Sequence, residues 1–213
     1  MFTGIIEKTG TIGIKRVAGK SCSLTITHER FDQPLSPGES VSVDGVCLTV
    51  TEAEKDRFHC NVLQETLERT CLGSASAGRR VNLERAVPAN GRFGGHFVSG
   101  HIDCVAPVCD VSDEGGDTVL RVKPGALCAV NVVDKGSVAL NGVSLTVCDP
   151  AAETFAVKII PFTLFHTNLK EVSSGDEVNV EFDMVGKYVR RMLAEQAKDE
   201  VTEKKLRNAG FIL

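Results

Sequence analysis

Four features are missing from this sequence, and each absence argues against a class of function. No apolar run approaches the roughly 20 residues that a membrane-spanning helix needs. No Gly-x-Gly-x-x-Gly motif is present, which argues against a dinucleotide-binding unit. The net charge of −4 provides no basic surface for nucleic acid or an anionic membrane. No two cysteines have Cys-x-x-Cys spacing, so neither a metal site nor a redox pair is indicated.

The eight cysteines lie singly in apolar or alternating stretches. We therefore interpret them as reduced thiols of a cytoplasmic protein, most of them packed as small core residues. Met1-Phe2-Thr3-Gly4 leads directly into the first repeated unit, which predicts that no signal peptide precedes it. The sequence thus predicts a cytoplasmic protein.

One stretch of the sequence occurs twice. Asp-Gly-Val-Cys-Leu-Thr-Val from Asp44 returns as Asn-Gly-Val-Ser-Leu-Thr-Val from Asn141, an offset of 97 (141 − 44), and five of the seven positions are identical. The same offset of 97 joins Phe58 with Phe155, Thr66-Leu67 with Thr163-Leu164, and Glu84 with Glu181. Upstream of the heptad, residues 3–7 match residues 99–103 at an offset of 96. Several matches in nearly one register predict two copies of one unit.

The first unit has the pattern of short strands separated by turn residues. Apolar and polar residues alternate in residues 22–27 and 46–50, which is the period of a half-buried strand. In the second of these stretches Cys47 and Thr49 fall together on the more polar face. Residues 64–71 are expected to form a short helical turn. Six short strands with no long helix between them indicate an antiparallel sandwich or barrel.

The second unit follows a linker rich in Pro and Gly, residues 86–95. Gly115-Gly116 is expected to turn a hairpin, and the apolar residues 127–133 are an insertion that the pattern does not place. The predicted strands of the second unit cover residues 100–108, 118–122, 138–140, 143–148, 155–160 and 178–182.

A single long helix is predicted from about Met184 to Ala197. Val185, Val189 and Met192-Leu193 recur at helical spacing on one face, and the first unit has no counterpart. A contact between subunits is favoured over packing on the chain's own barrel, and the polar tail from Lys198 is expected to be partly disordered. The predicted domains are therefore residues 1–90, 91–183 and 184–213.

The differences between the copies are chemical. Cys47 corresponds to Ser144, Ile5 to His101, and Glu65 to Phe162. A repeat that only packs a core would exchange apolar for apolar residues, whereas these exchanges introduce groups that do nucleophilic and acid–base chemistry. Two pockets of one shape and unlike chemistry suit two copies of one ligand in two roles.

The motifs together closely resemble the riboflavin synthase family of the two-barrel type, over the whole chain. The resemblance rests on the start Met1-Phe2-Thr3-Gly4-Ile5, the two repeated heptads, Glu65-Thr66-Leu67, and Gly94-Gly95-His96-Phe97-Val98-Ser99-Gly100-His101-Ile102. It implies an all-β fold of tandem duplicated six-stranded Greek-key β-barrels followed by a C-terminal α-helix, assembled as a homotrimer through that helix. It leaves open an association with lumazine synthase.

The resemblance also implies a reaction and its residues. Two molecules of 6,7-dimethyl-8-ribityllumazine dismutate to riboflavin and 5-amino-6-ribitylaminouracil, with no cofactor or metal. The implied catalytic residues are Phe2, Cys47, His101, Ser144, Thr146 and Asp183. The implied substrate-binding residues are these four (Cys47, His101, Ser144, Thr146) together with Gly4, Ile5, Ile6, Ser40, Leu48, Thr49, Asn61, Val62, Leu63, Gln64, Glu65, Thr66, His96, Gly100, Ile102, Lys135, Leu145, Lys158, Ile159, Ile160, Pro161, Phe162 and Thr163.

By the family's pattern, His101, Ser144 and Thr146 belong together, with Asp183 and Lys135 nearby, on the side where a ring methyl loses a proton. Cys47 belongs to the first barrel's pocket with Ser40, Thr49, Glu65 and Thr66. Motif matching does not decide which group is the base and which is the nucleophile.

Each candidate also has an ordinary structural explanation. Cys47 is explained as a buried inert thiol, and Ser144 as a hairpin hydroxyl bonded to backbone. Asp183 is explained as the N-terminal cap of the following helix, a role compatible with a catalytic one. His96 is explained as a residue that bridges backbone, and Phe2 as a core anchor.

Three other functions fit the sequence less well than that of a riboflavin synthase. A non-catalytic lumazine or flavin carrier of the same superfamily would have no need of Cys47, His101, Ser144 and Thr146. A flavin-dependent reductase would need a nicotinamide-binding α/β domain, and no such pattern follows the barrels. A pure scaffold would not need the unlike chemistry of the two copies.

Overall fold

The computed structural model describes residues 1–19 and 21–199, so the part of the predicted tail from Glu200 to Leu213 lies outside the described residues. The chain divides into two units after Asp183. The first unit holds two β-barrels, and the described part of the second is one helix.

The first barrel closes from six antiparallel strands in the spatial order β1-β2-β5-β4-β3-β6. A short helix, α1 (Gln64–Arg69), follows β5 where a helical turn was predicted. The strands are β1 (Lys8–Ala18), β2 (Ser21–His28), β3 (Ser40–Val43), β4 (Val46–Ala53), β5 (Arg57–Leu63) and β6 (Arg80–Arg85). The consecutive hairpins β3-β4-β5 are followed by β6, which returns to pair with β3, and this connection makes a Greek-key barrel.

The second barrel repeats that order, as β7-β8-β11-β10-β9-β12. Its strands are β7 (Cys104–Glu114), β8 (Asp117–Val122), β9 (Ser137–Leu140), β10 (Val143–Cys148), β11 (Phe155–Ile159) and β12 (Glu177–Phe182). The unplaced insertion forms a short helix, α2 (Leu127–Asn131), anchored by the buried Cys128. A further helix, α3 (Pro161–His166), corresponds to α1 of the first barrel.

One strand prediction was wrong. β7 begins at Cys104, whereas the sequence predicted a strand from Gly100. Gly100 has a φ of +84°, in the left-handed region that interrupts an extended strand. Residues 100–103 therefore leave the strand direction and take part in a different contact, described below.

Each barrel has its own hydrophobic core, as the alternating pattern predicted. Ile12, Leu24 and Phe58 are fully buried in the first core, and Leu120 and Phe155 are fully buried in the second. All eight cysteines are unbridged, and four of them are buried: Cys22, Cys60, Cys71 and Cys128.

The two barrels meet at the turns with which the repeated heptads begin. Gly45 and Gly142 touch backbone to backbone, because a Cβ on Gly45 would lie 2.8 Å from the Gly142 nitrogen. The reverse distance, from a Cβ on Gly142 to the Gly45 nitrogen, is 2.7 Å. Real Cβ atoms do not approach backbone that closely, so the contact requires glycine on both sides. It places the two heptads next to each other.

The second unit contains α4 (Met184–Asp199), which confirms the predicted long helix. Val185, Val189 and Met192 lie along one face of it by their spacing. Among the helices in the part of the chain that is described, none combines the length and apolar character needed to cross a membrane.

Candidate active site

The N-terminal segment of the chain contacts the second barrel. The Ser144 amide donates a hydrogen bond to the Gly4 carbonyl at 2.8 Å. Ile6 packs against the second hydrophobic core although it immediately precedes the first strand of the first barrel. Residues 3–6 therefore cross over to cover the hairpin that carries Ser144.

The corresponding segment of the second copy makes the reciprocal contact. The Cys47 amide donates to the Gly100 carbonyl at 2.9 Å, and Ile102 packs against the first core. Residues 99–102 therefore cover the hairpin that carries Cys47. Each half of the site combines one barrel with a segment from the other copy.

A buried carboxylate anchors the first crossing segment. Glu84, on β6, accepts hydrogen bonds from the Thr3 amide at 2.7 Å, the Thr3 hydroxyl at 2.8 Å and the Gly4 amide at 2.9 Å. Burial raises the pKa of Glu84, and the bonds from Thr3 and Gly4 oppose that rise. The sequence signal for this anchor was an acid at the same position of the last strand in both copies.

Glu181 anchors the second crossing segment in the same way. It accepts from the Ser99 amide at 2.6 Å, the Ser99 hydroxyl at 2.7 Å and the Gly100 amide at 3.0 Å. Sequence reasoning matched Glu84 with Glu181 but assigned neither a role. Both are positioning residues, because they hold the segments that carry Gly4 and Gly100 and do not face the open surface.

The two anchors allow a matched experiment. Glu181→Gln turns one acceptor oxygen into a donor, so at least one hydrogen bond to the crossing segment is lost, worth roughly 1.5–3 kcal/mol. We expect amide exchange of Gly100 to become at least about tenfold faster, while Gly4 keeps its wild-type rate. Glu84→Gln should give the opposite pattern. Equal acceleration of both amides in both variants would contradict separate anchoring.

We call the first group of residues the Cys47 half-site. Its members lie on the outer face of β4 and β5, at the start of α1, and on the second crossing segment. Cys47 is half-buried and packs on an apolar cluster of Phe2, Val98 and Ala139. The half-site comprises Cys47, Thr49, Asn61, Leu63, Glu65, Thr66, Gly100, His101 and Ile102.

His101 has a defined tautomer. The Ser99 hydroxyl has one proton and donates it to Glu181, so it can only accept from His101 Nδ1 at 3.2 Å. A neutral His101 is then protonated at Nδ1, which leaves an acceptor lone pair on Nε2. The imidazole is exposed. His101 is therefore arranged as a surface proton acceptor.

The second group, the Ser144 half-site, lies on the outer face of β10 and β11 and on α3. His96 Nδ1 lies 2.7 Å from the Ser144 hydroxyl oxygen. Burial lowers the pKa of His96, and the charge of Asp183 partly offsets this, so the imidazole is neutral near pH 7. The half-site comprises Gly4, Ile5, Ile6, His96, Ser144, Thr146, Lys158, Ile160, Phe162 and Thr163.

One grouping that the resemblance implied, His101 with Ser144, is not formed within a single chain. Within one chain His101 lies in the Cys47 half-site, because its neighbour Gly100 is bonded to Cys47. The imidazole that contacts Ser144 is His96 instead. His101 can meet Ser144 and Thr146 only if two half-sites face each other.

Several expected residues cannot present a side chain to a ligand. Phe2 is completely buried behind Cys47 and bonded to the Val98 backbone at 2.8 Å, which agrees with its explanation as a core anchor. Side chains that face a barrel core leave only backbone groups for a ligand: Leu48, Val62, Leu145 and Ile159.

The other expected residues have local interactions or positions that do not point to a ligand. Lys158 Nζ donates to Glu114 at 2.6 Å, and Glu65 pairs with Arg69 at 3.1 Å. Lys135 has a φ of +62°, a conformation that is uncommon for a side-chain-bearing residue and marks local strain. The remaining expected residues are Ser40, paired with Thr49 across β3 and β4, and Gln64 and Pro161, which begin α1 and α3.

Both half-sites expose large apolar side chains. Leu63 is 71% exposed and Phe162 is 68% exposed, and Ile160 is 55% exposed. Side chains of this kind beside polar groups suit a flat ring and a facing protein surface. A groove of about 600 Å³ is lined by two of the expected residues, Ile5 and Ser40, together with linker residues such as Val87 and Pro88. Among the described residues, no cluster of three or more His, Cys, Asp or Glu is arranged to hold a metal ion.

The sequence matches a known domain family twice. The lumazine binding domain matches residues 3–86 and again residues 99–183. Riboflavin synthase from Actinobacillus pleuropneumoniae is 41% identical, over 99% of this chain and 100% of that protein. Riboflavin synthase from Bacillus subtilis is 40% identical, over 98% of this chain and 97% of that protein.

A solved structure has the same fold. LumP complexed with riboflavin superposes with a TM-score of 0.76 at 24% identity, over 85% of this chain and 99% of that one. The likeness shows that the tandem barrels are a known arrangement.

Proposed function

The chain belongs to the riboflavin synthases, and from that premise we propose that its two half-sites each hold one molecule of 6,7-dimethyl-8-ribityllumazine in a different role. The enzyme is a transferase that dismutates two of these molecules to riboflavin and 5-amino-6-ribitylaminouracil. One molecule gives a four-carbon unit to the other. The two substrates supply every atom of the two products.

One observation carries the proposal of two roles. The half-sites share a backbone plan, in which a carboxylate anchors a crossing segment over a hairpin. They differ in the reactive group on that hairpin, which is a thiol at Cys47 and a hydroxyl at Ser144. Equal shape lets the same ligand bind twice, and unlike groups let the two copies react differently. Most of the rate enhancement then comes from holding two rings face to face.

The Cys47 half-site is proposed to supply the proton acceptor. A methyl group conjugated to the electron-poor lumazine ring must lose a proton before a new carbon–carbon bond can form. His101 offers a lone pair on Nε2 because Ser99 fixes the tautomer through Nδ1. Cys47 is proposed as the nucleophile that adds to one lumazine ring and is eliminated again as the four-carbon unit leaves that ring, which regenerates the thiol.

The Ser144 half-site is proposed to orient the facing ring. His96 is neutral and close to the Ser144 hydroxyl, so it can hold that hydroxyl in one orientation toward the ligand. Thr146 is exposed on the same face of β10 and offers a second hydroxyl. Asp183 acts through its charge on His96.

His101→Gln is expected to slow exchange of the lumazine methyl protons with deuterated solvent at least about tenfold, because Gln retains hydrogen bonding but is not a base. NMR follows this exchange directly. His59→Gln is the control, since His59 bonds the Thr25 hydroxyl at 3.0 Å and lies 3.9 Å from Glu54 near the β4–β5 turn, at the end of β4 away from Cys47. Wild-type exchange in the His101 variant would remove the proton-acceptor role.

The assembly is proposed to be a homotrimer held through α4. The apolar face of α4 has the spacing of a helix that packs on another element. We place the Cys47 half-site of one subunit against the Ser144 half-site of another, because His101 and Ser144 lie in different half-sites of one chain.

Three further assignments complete the proposal. The functional domains are residues 1–90, 91–183 and 184–213. The enzyme is cytoplasmic, because its unbridged cysteines suit a reducing compartment. Association with lumazine synthase would deliver the substrate where it is made, and cosedimentation of the two proteins tests it.

Anaerobic incubation with the lumazine and no additive tests the function. Riboflavin and the diaminouracil should appear in a one-to-one ratio. Binding without either product would indicate a non-catalytic lumazine or flavin carrier of the same superfamily, the alternative function considered. Riboflavin in excess of the diaminouracil would indicate a different four-carbon donor.

A further inference from the structure

A buried acid lies at the junction of the two barrels, outside the half-sites. Asp44 is 0% exposed in the turn between β3 and β4, with a φ of +49°. Its Oδ1 accepts from the Asn82 amide at 2.7 Å and from the Asn168 side chain at 2.9 Å. Its carbonyl accepts from the Asn179 side chain at 2.8 Å. Asn82 belongs to the first barrel and the other two to the second, so Asp44 connects both.

The other carboxylate oxygen of Asp44 is not hydrogen-bonded. Oδ2 is buried without such a partner among the described residues, and the nearest cation, an Arg79 guanidinium nitrogen, lies 3.7 Å away. Cys71 is the other titratable group that acts near it, and burial raises the pKa of that thiol to about 11, so it is uncharged near neutral pH. Glu177 acts on Cys71 rather than on Asp44 directly.

The second copy shows what this position needs for folding alone. Asn141 replaces Asp44 there, and its side-chain oxygen accepts from the Asn179 amide at 2.9 Å. The position that corresponds to Arg79 is Asp176, which lines the same inter-barrel groove as Asn141. An amide is therefore sufficient for the turn, and the chain uses an acid only in the copy that supplies an arginine.

An ionised Asp44 is costly in this environment. Burial raises the pKa of Asp44 to about 7, although the Asn82 amide, Arg79 and Asn168 all act to lower it. A buried carboxylate with one cation at 3.7 Å is incompletely compensated, whereas the neutral acid avoids most of that cost.

We propose that Asp44 is a proton-sensitive joint between the barrels, which is tight when the acid is neutral and weakened when it ionises toward Arg79. The turn that contains Asp44 leads into the Cys47 hairpin and into the Gly45–Gly142 contact. Ionisation of Asp44 therefore loosens the Cys47 hairpin and the packing of the two barrels before it affects other parts of the chain.

The sign of the effect follows from proton linkage. An unfolded Asp44 ionises near 3.8 and the folded one near 7, so between these values the folded state holds more protons. Folding stability therefore falls as pH rises through this interval and levels off above about pH 7. Asp44→Asn removes this contribution, and Asn141 shows that the amide fits.

Denaturant unfolding of the wild type and of Asp44→Asn, measured from pH 5 to pH 8, tests the joint. The unfolding constant of the wild type, divided by that of Asp44→Asn, should rise by up to about tenfold per pH unit between pH 5 and pH 7 and then stay constant. Other titrating groups are present in both proteins and cancel. Parallel curves over the whole range would overturn the proposal, because Asp44 would then titrate as an ordinary acid.

Infrared spectroscopy supplies a second readout that needs no unfolding. A carboxylic-acid carbonyl band should be present at pH 6, decline by pH 8 and be missing from Asp44→Asn. In Arg79→Gln the band should persist to higher pH, because the cation that favours ionisation is gone. A band that is insensitive to both substitutions would also overturn the proposal, and neither outcome depends on the catalytic function.

Discussion

A chain cut after Asp183 is expected to lose more than about 100-fold of its riboflavin-forming activity while it still binds the lumazine. Both barrels keep complete cores in residues 1–183, so the cut should leave them folded. Without α4 the chains should sediment as monomers. The Cys47 half-site of one chain would then no longer face a Ser144 half-site of another.

Light scattering and a riboflavin assay on the same sample test this expectation. Ligand binding, followed by lumazine fluorescence, controls for loss of the fold. The full-length protein diluted to the same concentration controls for dissociation. A fully active monomer would show that α4 is dispensable and that the two half-sites work within one chain.

Cys47→Ser is expected to lower the turnover number by more than about tenfold, with lumazine affinity nearly unchanged. The substitution makes the first hairpin resemble the second, where Ser144 occupies the same position. A tenfold loss corresponds to about 1.4 kcal/mol of transition-state stabilisation, because the weaker nucleophile is disadvantaged only when the bond forms.

A thiol outside the site provides the control for that variant. Cys109 is exposed on β7 and bonded to the Arg121 carbonyl, remote in sequence from both hairpins. Cys109→Ser should have wild-type turnover and affinity. Unchanged turnover in Cys47→Ser would return Cys47 to a packing role against Phe2 and Val98.

The strands and the duplication were predictable because they depend on local pattern. Alternation in β4 and β10 placed Val46 and Val143 inward and left Cys47 and Ser144 on the outer face, as observed. The long helix after Asp183 followed from helical spacing alone. These features need only the periodicity of a strand or a helix, which a single sequence contains.

The crossing segments were not predictable from that pattern. Residues 100–103 have the apolar spacing of a strand, and only Glu181, 81 residues from Gly100, shows why they pack elsewhere. The match of Glu84 with Glu181 was a visible signal that an acid is needed twice in a buried strand. The residues that bond to each acid lie about 80 positions away in the sequence, so only the tertiary structure identifies them.

The contact between His96 and Ser144 was also beyond the sequence. The Gly-rich linker lets the backbone pass close to Ser144, and His96 then reaches the hydroxyl. Only the family's pattern had placed His101 beside Ser144. The backbone bond between Cys47 and Gly100 decides the matter within one chain.

Subunit mixing tests the central claim most directly, that unlike half-sites of two different chains form one catalytic site. Cys47→Ser and Ser144→Ala chains with different tags are coexpressed, and oligomers that carry both tags are purified. In such trimers each Cys47 half-site faces the Ser144 half-site of the next chain. About one in three of these pairs joins the intact Cys47 of a Ser144→Ala chain to the intact Ser144 of a Cys47→Ser chain. Activity should therefore rise to about a third of wild type. No single chain carries both half-sites intact, so activity above that of the parent variants can arise only between two chains. Activity no higher than that of the parent variants would therefore contradict the account.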